Sequence, residues 1–336
     1  MTYLPQIKIL VPSAQVSSYT TGIFNLPSKK GVFFELPASL GVFGGGYINS
    51  NITNDIEYLN ISTTGNSVFF GDLTTLATIA GACASTTRGI FAGGHQVYNA
   101  DDERNIIEYI SFASTGNATD FGDLQTRRAG VNGVSNSTRG VFIGGREPSN
   151  ANRNKMDYVT IATTGNGTNF GTISPDRMLG ASVNSTTRGV VMAGYPSSLT
   201  NSIDYITIAT TGNTTNFGVT LANNLNAAGC SSSTRGVMMG GNLGGGVSDN
   251  TIQYITIAST GNSTDFGDLT IARQNSAGIS NSVTGICAGG NIVTGDVQQT
   301  RIDSITIATT GNATTFGDTT VAKSPSNGTS NSHGGL

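Results

Sequence analysis

Two histidines, three cysteines and one acidic cluster are the side chains on which catalysis or metal binding in this chain would have to rest. His95 and His333 stand far apart, and neither has ligand spacing to a cysteine or to a second histidine, so no metal site is expected. Asp101, Asp102 and Glu103 lie together but lack the spaced oxygen ligands of a calcium loop. Cys83 and Cys230 each fall five residues before the arginine of a T-T-R-G or S-T-R-G turn, where other copies carry Val134, Val183 and Ile279. That is a small apolar slot, and it predicts buried thiols kept reduced in a cytoplasm. "GGNLGGG" follows an apolar run but precedes no helical pattern, so it is no phosphate-binding loop. Five N-x-T triplets, at Asn117, Asn166, Asn213, Asn262 and Asn312, coincide with turns, and the N-terminus has no basic region followed by an apolar stretch, so glycosylation is not expected. No nucleophile–base pair emerges. The expectation is a protein that is no enzyme and needs no cofactor.

The elements that must position any binding residue are set by repetition. The tripeptide T-G-N recurs with its glycine at Gly65, Gly116, Gly165, Gly212, Gly261 and Gly311, at spacings of 51, 49, 47, 49 and 50. A second marker, an apolar run ending in small residues, also recurs six times: "GVFGGG" (41–46), "RGIFAGG" (88–94), "RGVFIGG" (139–145), "RGVVMAG" (188–194), "RGVMMGG" (235–241) and "TGICAGG" (284–290). A period near fifty belongs to propeller-type arrays. Each unit reads as four strands, A to D; in the third they are "AGVNGVSNS" (129–137), "TRGVFIGG" (138–145), "MDYVTIATT" (156–164) and "GTNFGTI" (167–173). The Gly-Asn between C and D predicts a two-residue hairpin turn with positive φ. Along "IDYITIATT", Ile203, Tyr205 and Ala209 point one way and Ile206 and Ile208 the other, so the sheet must be covered on both faces. Blades packed face to face do this, with the small residues of strand A at the crowded centre.

The repeats begin on a B strand, "LGVFGGG" (40–46), and end on an A strand, "AKSPSNGTSNS" (322–332). The last strand is therefore expected to complete the first blade and close the ring. The fold class is all-β, a six-bladed propeller over residues 40–336, preceded by an extension, residues 1–39. That extension holds four of the eight prolines and the short apolar stretches "IKIL" and "GVFFEL", and is too small for a core of its own. It either straps along the propeller or attaches to a partner.

Charged residues are only 11% of the chain, against about 25% in ordinary domains, and the net charge is −3. This gives no general attraction to nucleic acid or anionic lipid, and no apolar run is long enough to span a bilayer. The A–B and C–D turns barely vary between units, whereas the B–C loops differ in length, charge and aromatic content. Loops on a rigid scaffold are where binding lives. Tyr47, His95, Tyr98, Asp101, Asp102, Arg104, Arg146, Arg153 and Tyr195 are the candidate contact residues, against the alternative that they are solvated loop tips. On the opposite face Arg88, Arg139, Arg188 and Arg235 would form a partial ring, with Thr284 and His333 in the remaining slots. Such a ring holds an anionic partner, or each arginine pairs with backbone of its own or the adjacent blade.

The series Arg128, Gly144-Gly145, Tyr158, Phe170 resembles the kelch-type propeller repeat, with Phe where that family carries Trp. Arg177, Gly194, Tyr205, Phe217 repeats the order with Ala193 replacing one glycine, and Arg273, Gly289-Gly290, Ser304, Phe316 lacks the Tyr. The absence of Trp argues against the Asp boxes of sialidase-type propellers. The wording "ITIATTGNATxFGDLTxAR…STRGVFxGG" is similar to repeats in structural and tail-fibre-like proteins of tailed, particularly marine, bacteriophages. That resemblance implies a virion component made in the host cytoplasm and present in several copies or as a homo-oligomer. Residues 1–39 would contact other virion proteins, and the loop face would be available to a host surface glycan or protein receptor. A purely architectural decoration protein and a soluble adaptor propeller are the rival readings, with a degenerate glycan-active enzyme behind them.

Overall fold

The computed structural model describes residues 36–49, 51–96, 102–150, 153–195, 198–325 and 327–336. These form six four-stranded antiparallel sheets and one two-stranded ribbon, Asn291–Ile292 with Val297–Gln298. The fourth blade runs Ala181–Asn184, Arg188–Gly194, Thr200–Thr207 and Thr215–Asn224, from the axis outward. The first blade takes its innermost strand, Asn327–Ser330, from the far end of the chain: Gly41 pairs with Ser330 and Val42 with Thr329. Ring closure by the last strand is thus as expected.

Six inner strands converge on the axis, and their small residues answer to that crowding. A Cβ at Gly133 would lie 2.2 Å from the Ala82 carbonyl oxygen, and one at Gly278 the same distance from that of Gly229. Except in the second blade, where it is Ala84, the last side chain of each inner strand ties it to its neighbour. The Ser135 hydroxyl donates to the Ala84 carbonyl at 2.8 Å, Asn184 Nδ2 donates to the Ser135 carbonyl at 3.0 Å, and the Ser280 hydroxyl donates to the Ser231 carbonyl at 2.8 Å. Cys83, Cys230 and Cys287 are buried, and burial pushes their thiols well above the ordinary range.

The outer seams explain T-G-N differently from the sequence expectation. The C–D connection is longer than a two-residue turn, running over Ile208–Thr214 in the fourth blade, and none of its six asparagines adopts a positive φ. Gly and Asn instead reach across to the preceding blade. Gly212 N–H donates to the Phe170 carbonyl at 2.7 Å, and Asn213 Oδ1 accepts from Thr172 N–H at 3.0 Å. The same pair of bonds recurs at all six seams, including the closing one, where Gly65 N–H meets the Phe316 carbonyl and Asn66 Oδ1 meets Asp318 N–H. The glycine that needs to be glycine for space is the one after each Phe. A Cβ on Gly218 would sit 2.2 Å from the Gly261 carbonyl oxygen, whereas one on Gly65 would meet nothing within 4 Å.

Within the blades, Tyr58, Tyr109, Tyr158, Tyr205 and Tyr254 pack edge-on against the Phe twelve residues later, with centroids 5.9 to 6.1 Å apart. A buried cation from the connection entering a blade then pairs with a carboxylate on strand C: Arg128 with Asp157, Arg177 with Asp204, Arg273 with Asp303 at 2.9 Å, and Lys323 with Glu57 at 2.7 Å. Burial alone would raise the Glu57 carboxyl; the Lys323 charge and bonds from Ser67 and Thr320 hold it below its ordinary value instead. In the fifth blade both charges are gone, leaving Asn224 and Gln253 in the equivalent places. Asn224 Nδ2 instead donates to the buried Asp249 carboxylate at 3.0 Å, and Gln253 Oε1 accepts from Leu221 N–H at 2.9 Å.

These seams yield a contrast measurable by chemical or thermal unfolding. Gly218→Ala should cost about 2 kcal/mol or more through backbone overpacking, while Gly65→Ala should stay within about 0.5 kcal/mol. Equal effects would show that the seam contact is not what fixes the glycine.

Candidate functional site

The residue after the Gly-Gly pair of each blade, Ala193-Gly194 in the fourth, occupies one equivalent position in all six, where strand B gives way to the B–C loop. Four sequence-picked candidates stand there: Tyr47, His95, Arg146 and Tyr195. Each makes an antiparallel bridge to the connection entering the same blade, at Ser324, Thr78, Ala129 and Met178, and His95 makes a second to Glu103. Asn242 and Asn291 fill the other two positions, bridged to Leu225 and Gln274, and were overlooked because their amides carry no charge or ring. Their signal was positional, since both follow the same Gly-Gly.

A second ring lies inside the first. Ile79, Gly130, Leu179, Asn226 and Asn275 share a left-handed backbone, with φ of 48, 71, 60, 57 and 53°. Their backbones form a hydrogen-bonded chain about the axis, each N–H after that of Ile79 donating to the preceding carbonyl at 2.8, 2.9, 2.8 and 2.9 Å. Such φ values are costly for Ile and Leu, by about 1–3 kcal/mol each, and the bonds between successive blades hold them there. This ring frames the mouth of an axial channel of about 390 Å³.

The other end of the channel is filled by the chain's own residues. His333, placed by sequence spacing with the outer arginines, sits near the axis instead, and Leu40 takes the strand position equivalent to Arg88. His333 Nε2 lies 3.2 Å from both the Ser135 hydroxyl and the Ala84 carbonyl oxygen, and Nδ1 lies 3.0 Å from Asn184 Nδ2. Gly334 N–H donates to the Ser231 carbonyl. Spacing alone could not show that the chain turns inward after closing the first blade.

At the rim, His95 is 4% exposed. Its Nδ1 faces Asp102 at 3.5 Å and its Nε2 faces Arg146 at 3.5 Å, while Arg146 bridges to Glu103 at 2.9 Å. Burial, followed by the Arg146 charge, pushes the His95 ring below its ordinary value against the pull of Glu103 and Asp102. The cluster joins loop to scaffold. Arg104 turns inward, donating to the Leu76 carbonyl and facing Glu108, so it does not join the other candidates. The Arg153 carbonyl accepts from Arg177 N–H. Tyr98 and Asp101 lie outside the described residues. Among the described residues no group of three or more His, Cys, Asp and Glu is placed to hold a metal.

On the opposite face the four arginines are engaged within the ring. Each guanidinium lies over the Tyr of its own blade, 4.1 to 4.6 Å from the centroid. Each also donates to carbonyls of the next blade: Arg88 to Ile161 and Ala162, Arg139 to Ile208 and Ala209, Arg188 to Ile257 and Ala258, and Arg235 to Ile307. Of the two readings offered by sequence, the geometry is that of inter-blade pairing. Thr284 does occupy the equivalent strand position in the sixth blade.

Two measurements follow. Arg188→Ala should lower stability by about 1–2 kcal/mol through the lost cation–π and carbonyl contacts. Phosphate at low millimolar concentration should not raise the melting temperature of the unaltered chain; an increase lost in the variant would restore the anion reading. The His333 imidazole is pushed down to about 4 by burial, against the Ala84 bond, from an ordinary 6.5. The unfolded chain therefore takes up this proton first as pH falls, so the ring's contribution is intact above pH 6.5 and declines toward pH 4. Across that window the unaltered chain should lose more stability than His333→Gln; parallel curves would contradict the buried setting. No protein-family model matches this chain and no curated protein matches it, so its assignment as a six-bladed propeller rests on the geometry above.

Proposed function

We propose that this chain is a non-enzymatic component of a tailed-phage particle, a rigid kelch-like propeller that presents its B–C loop face outward and is attached through residues 1–39. The observation that carries the reading is the division between constant and divergent surfaces. The A–B turns and C–D connections carry contacts that repeat from seam to seam, whereas the six B–C loops differ in length, charge and aromatic content. A scaffold of this kind suits recognition of another molecule, and a β-propeller is compatible with protein–protein interaction. The likeness of the repeat wording to phage structural and tail-fibre-like proteins supports the particle; the Arg, Gly-Gly, Tyr, Phe series supports the kelch likeness. Residues 1–35 lie outside the described residues, and their part in attachment rests on sequence alone.

Propeller folds serve many functions, so sedimentation decides between a particle and a free adaptor. Lysate from the source, spun through a density gradient and probed for this chain, should show it with intact particles, and removal of residues 1–39 should release it. A chain that stays at the top of the gradient contradicts the virion reading.

A further inference from the structure

The axial channel opens among the B–C loops and is floored by His333, with Gly334 and Gly335 buried beside it. Its volume of about 390 Å³ lies within the range of about 300–1,000 Å³ usual for small-ligand sites. The mouth is divided. Ile79, Gly130 and Leu179, on three successive blades, make an apolar arc; Asn226 and Asn275, on the next two, make a polar one.

The polar arc is held by a network that leaves defined groups free. Gln274 Oε1 accepts from Asn226 Nδ2 at 3.2 Å and from Asn242 Nδ2 at 3.0 Å, which fixes the amide and leaves Gln274 Nε2 as a donor. Asn275 Nδ2 donates to Asn291 Oδ1 at 3.0 Å. Asn226 and Asn275 thus each keep a carbonyl oxygen without a protein partner among the described residues. Acceptors and a donor face an aliphatic wall in a space lined by no acidic or basic side chain other than His333. A charged ligand would find no counter-charge there, and a purely apolar one would strip water from the amides at a cost. A sugar ring has both surfaces required, a hydroxyl edge and a face of C–H groups.

We infer that the channel mouth is a binding site for the neutral chain end of a glycan, its hydroxyls on Asn226, Gln274 and Asn275 and its apolar face on Ile79 and Leu179. The inference rests on the proposal that the B–C face is the one presented to a host surface, and it names the ligand class and the place.

The test applies the full chain to immobilised neutral oligosaccharides and to their sialylated and sulfated counterparts. Neutral chain ends should be retained, and retention should change little between about 50 mM and about 500 mM salt, because no ion pair is involved. Asn226→Leu and Asn275→Leu should each weaken it about tenfold or more. Leu is chosen because Leu179 already holds the same left-handed position, at φ 60°, and unfolding curves check that the ring persists. Val283→Ser, at an exposed position of the A–B turn on the opposite face, should leave retention unchanged. The site is contradicted if no neutral glycan is retained, if only acidic glycans are held and salt releases them, or if both Asn variants retain glycan within about twofold of the unaltered chain. Sedimentation is read separately. A chain that travels with particles yet holds no neutral glycan overturns the channel site and leaves the particle reading standing; one that holds glycan but stays at the top of the gradient does the reverse.

Discussion

A propeller exists only if every seam between blades is made, because a single open seam exposes two sheet faces and leaves the ring without closure. In this chain the seam is a backbone event. The C–D connection of one blade lays a glycine N–H and an asparagine Oδ1 against the outer strand of the blade before it, and that strand meets it with a glycine that has no room for a Cβ beside the neighbour's carbonyl. Side chains cannot easily vary at such a contact, since a Cβ near 2.2 Å from a carbonyl oxygen must move backbone. Six copies of nearly the same sixteen residues are the consequence.

Exceptions cluster where the circle is joined. The first blade combines strands from opposite ends of the chain and carries Leu40 in place of the seam arginine; the sixth carries Thr284 there and Ser304 in place of the strand C tyrosine. Other contacts hold these seams. Lys323 and Glu57 pair across the join, Asn281 Nδ2 donates to the Ser39 hydroxyl, and Leu40 N–H donates to Asn331 Oδ1. Residues 333–334 then reach four further inner strands from the axis. Closure is thereby linked to the floor of the channel, so the scaffold and the candidate site depend on the same few residues.

Much of the fold was legible because its constraints repeat. Strand C shows apolar side chains on both faces, the period is near fifty, and the ragged ends fit only if Asn327–Ser330 completes the first blade. T-G-N misled because the same small and amide residues serve both hairpin turns and inter-blade contacts, and a single sequence does not distinguish the two demands. The site was less legible. Tyr47, His95, Arg146 and Tyr195 attracted notice by their chemistry, yet what unites them is position, shared with Asn242 and Asn291. Ile79, Gly130, Leu179, Asn226 and Asn275 have nothing in common as side chains; only a left-handed backbone relates them, and composition carries no trace of it.

Calorimetry on the intact chain and on one ending before Asn327 tests most directly whether the ring is a single closed body. The intact chain should unfold in one transition whose calorimetric and van't Hoff enthalpies agree, and the shortened chain should lose that transition, because its first blade lacks an inner strand and its channel a floor. A shortened chain that melts with the same enthalpy and midpoint would contradict closure as the constraint on which the structure depends.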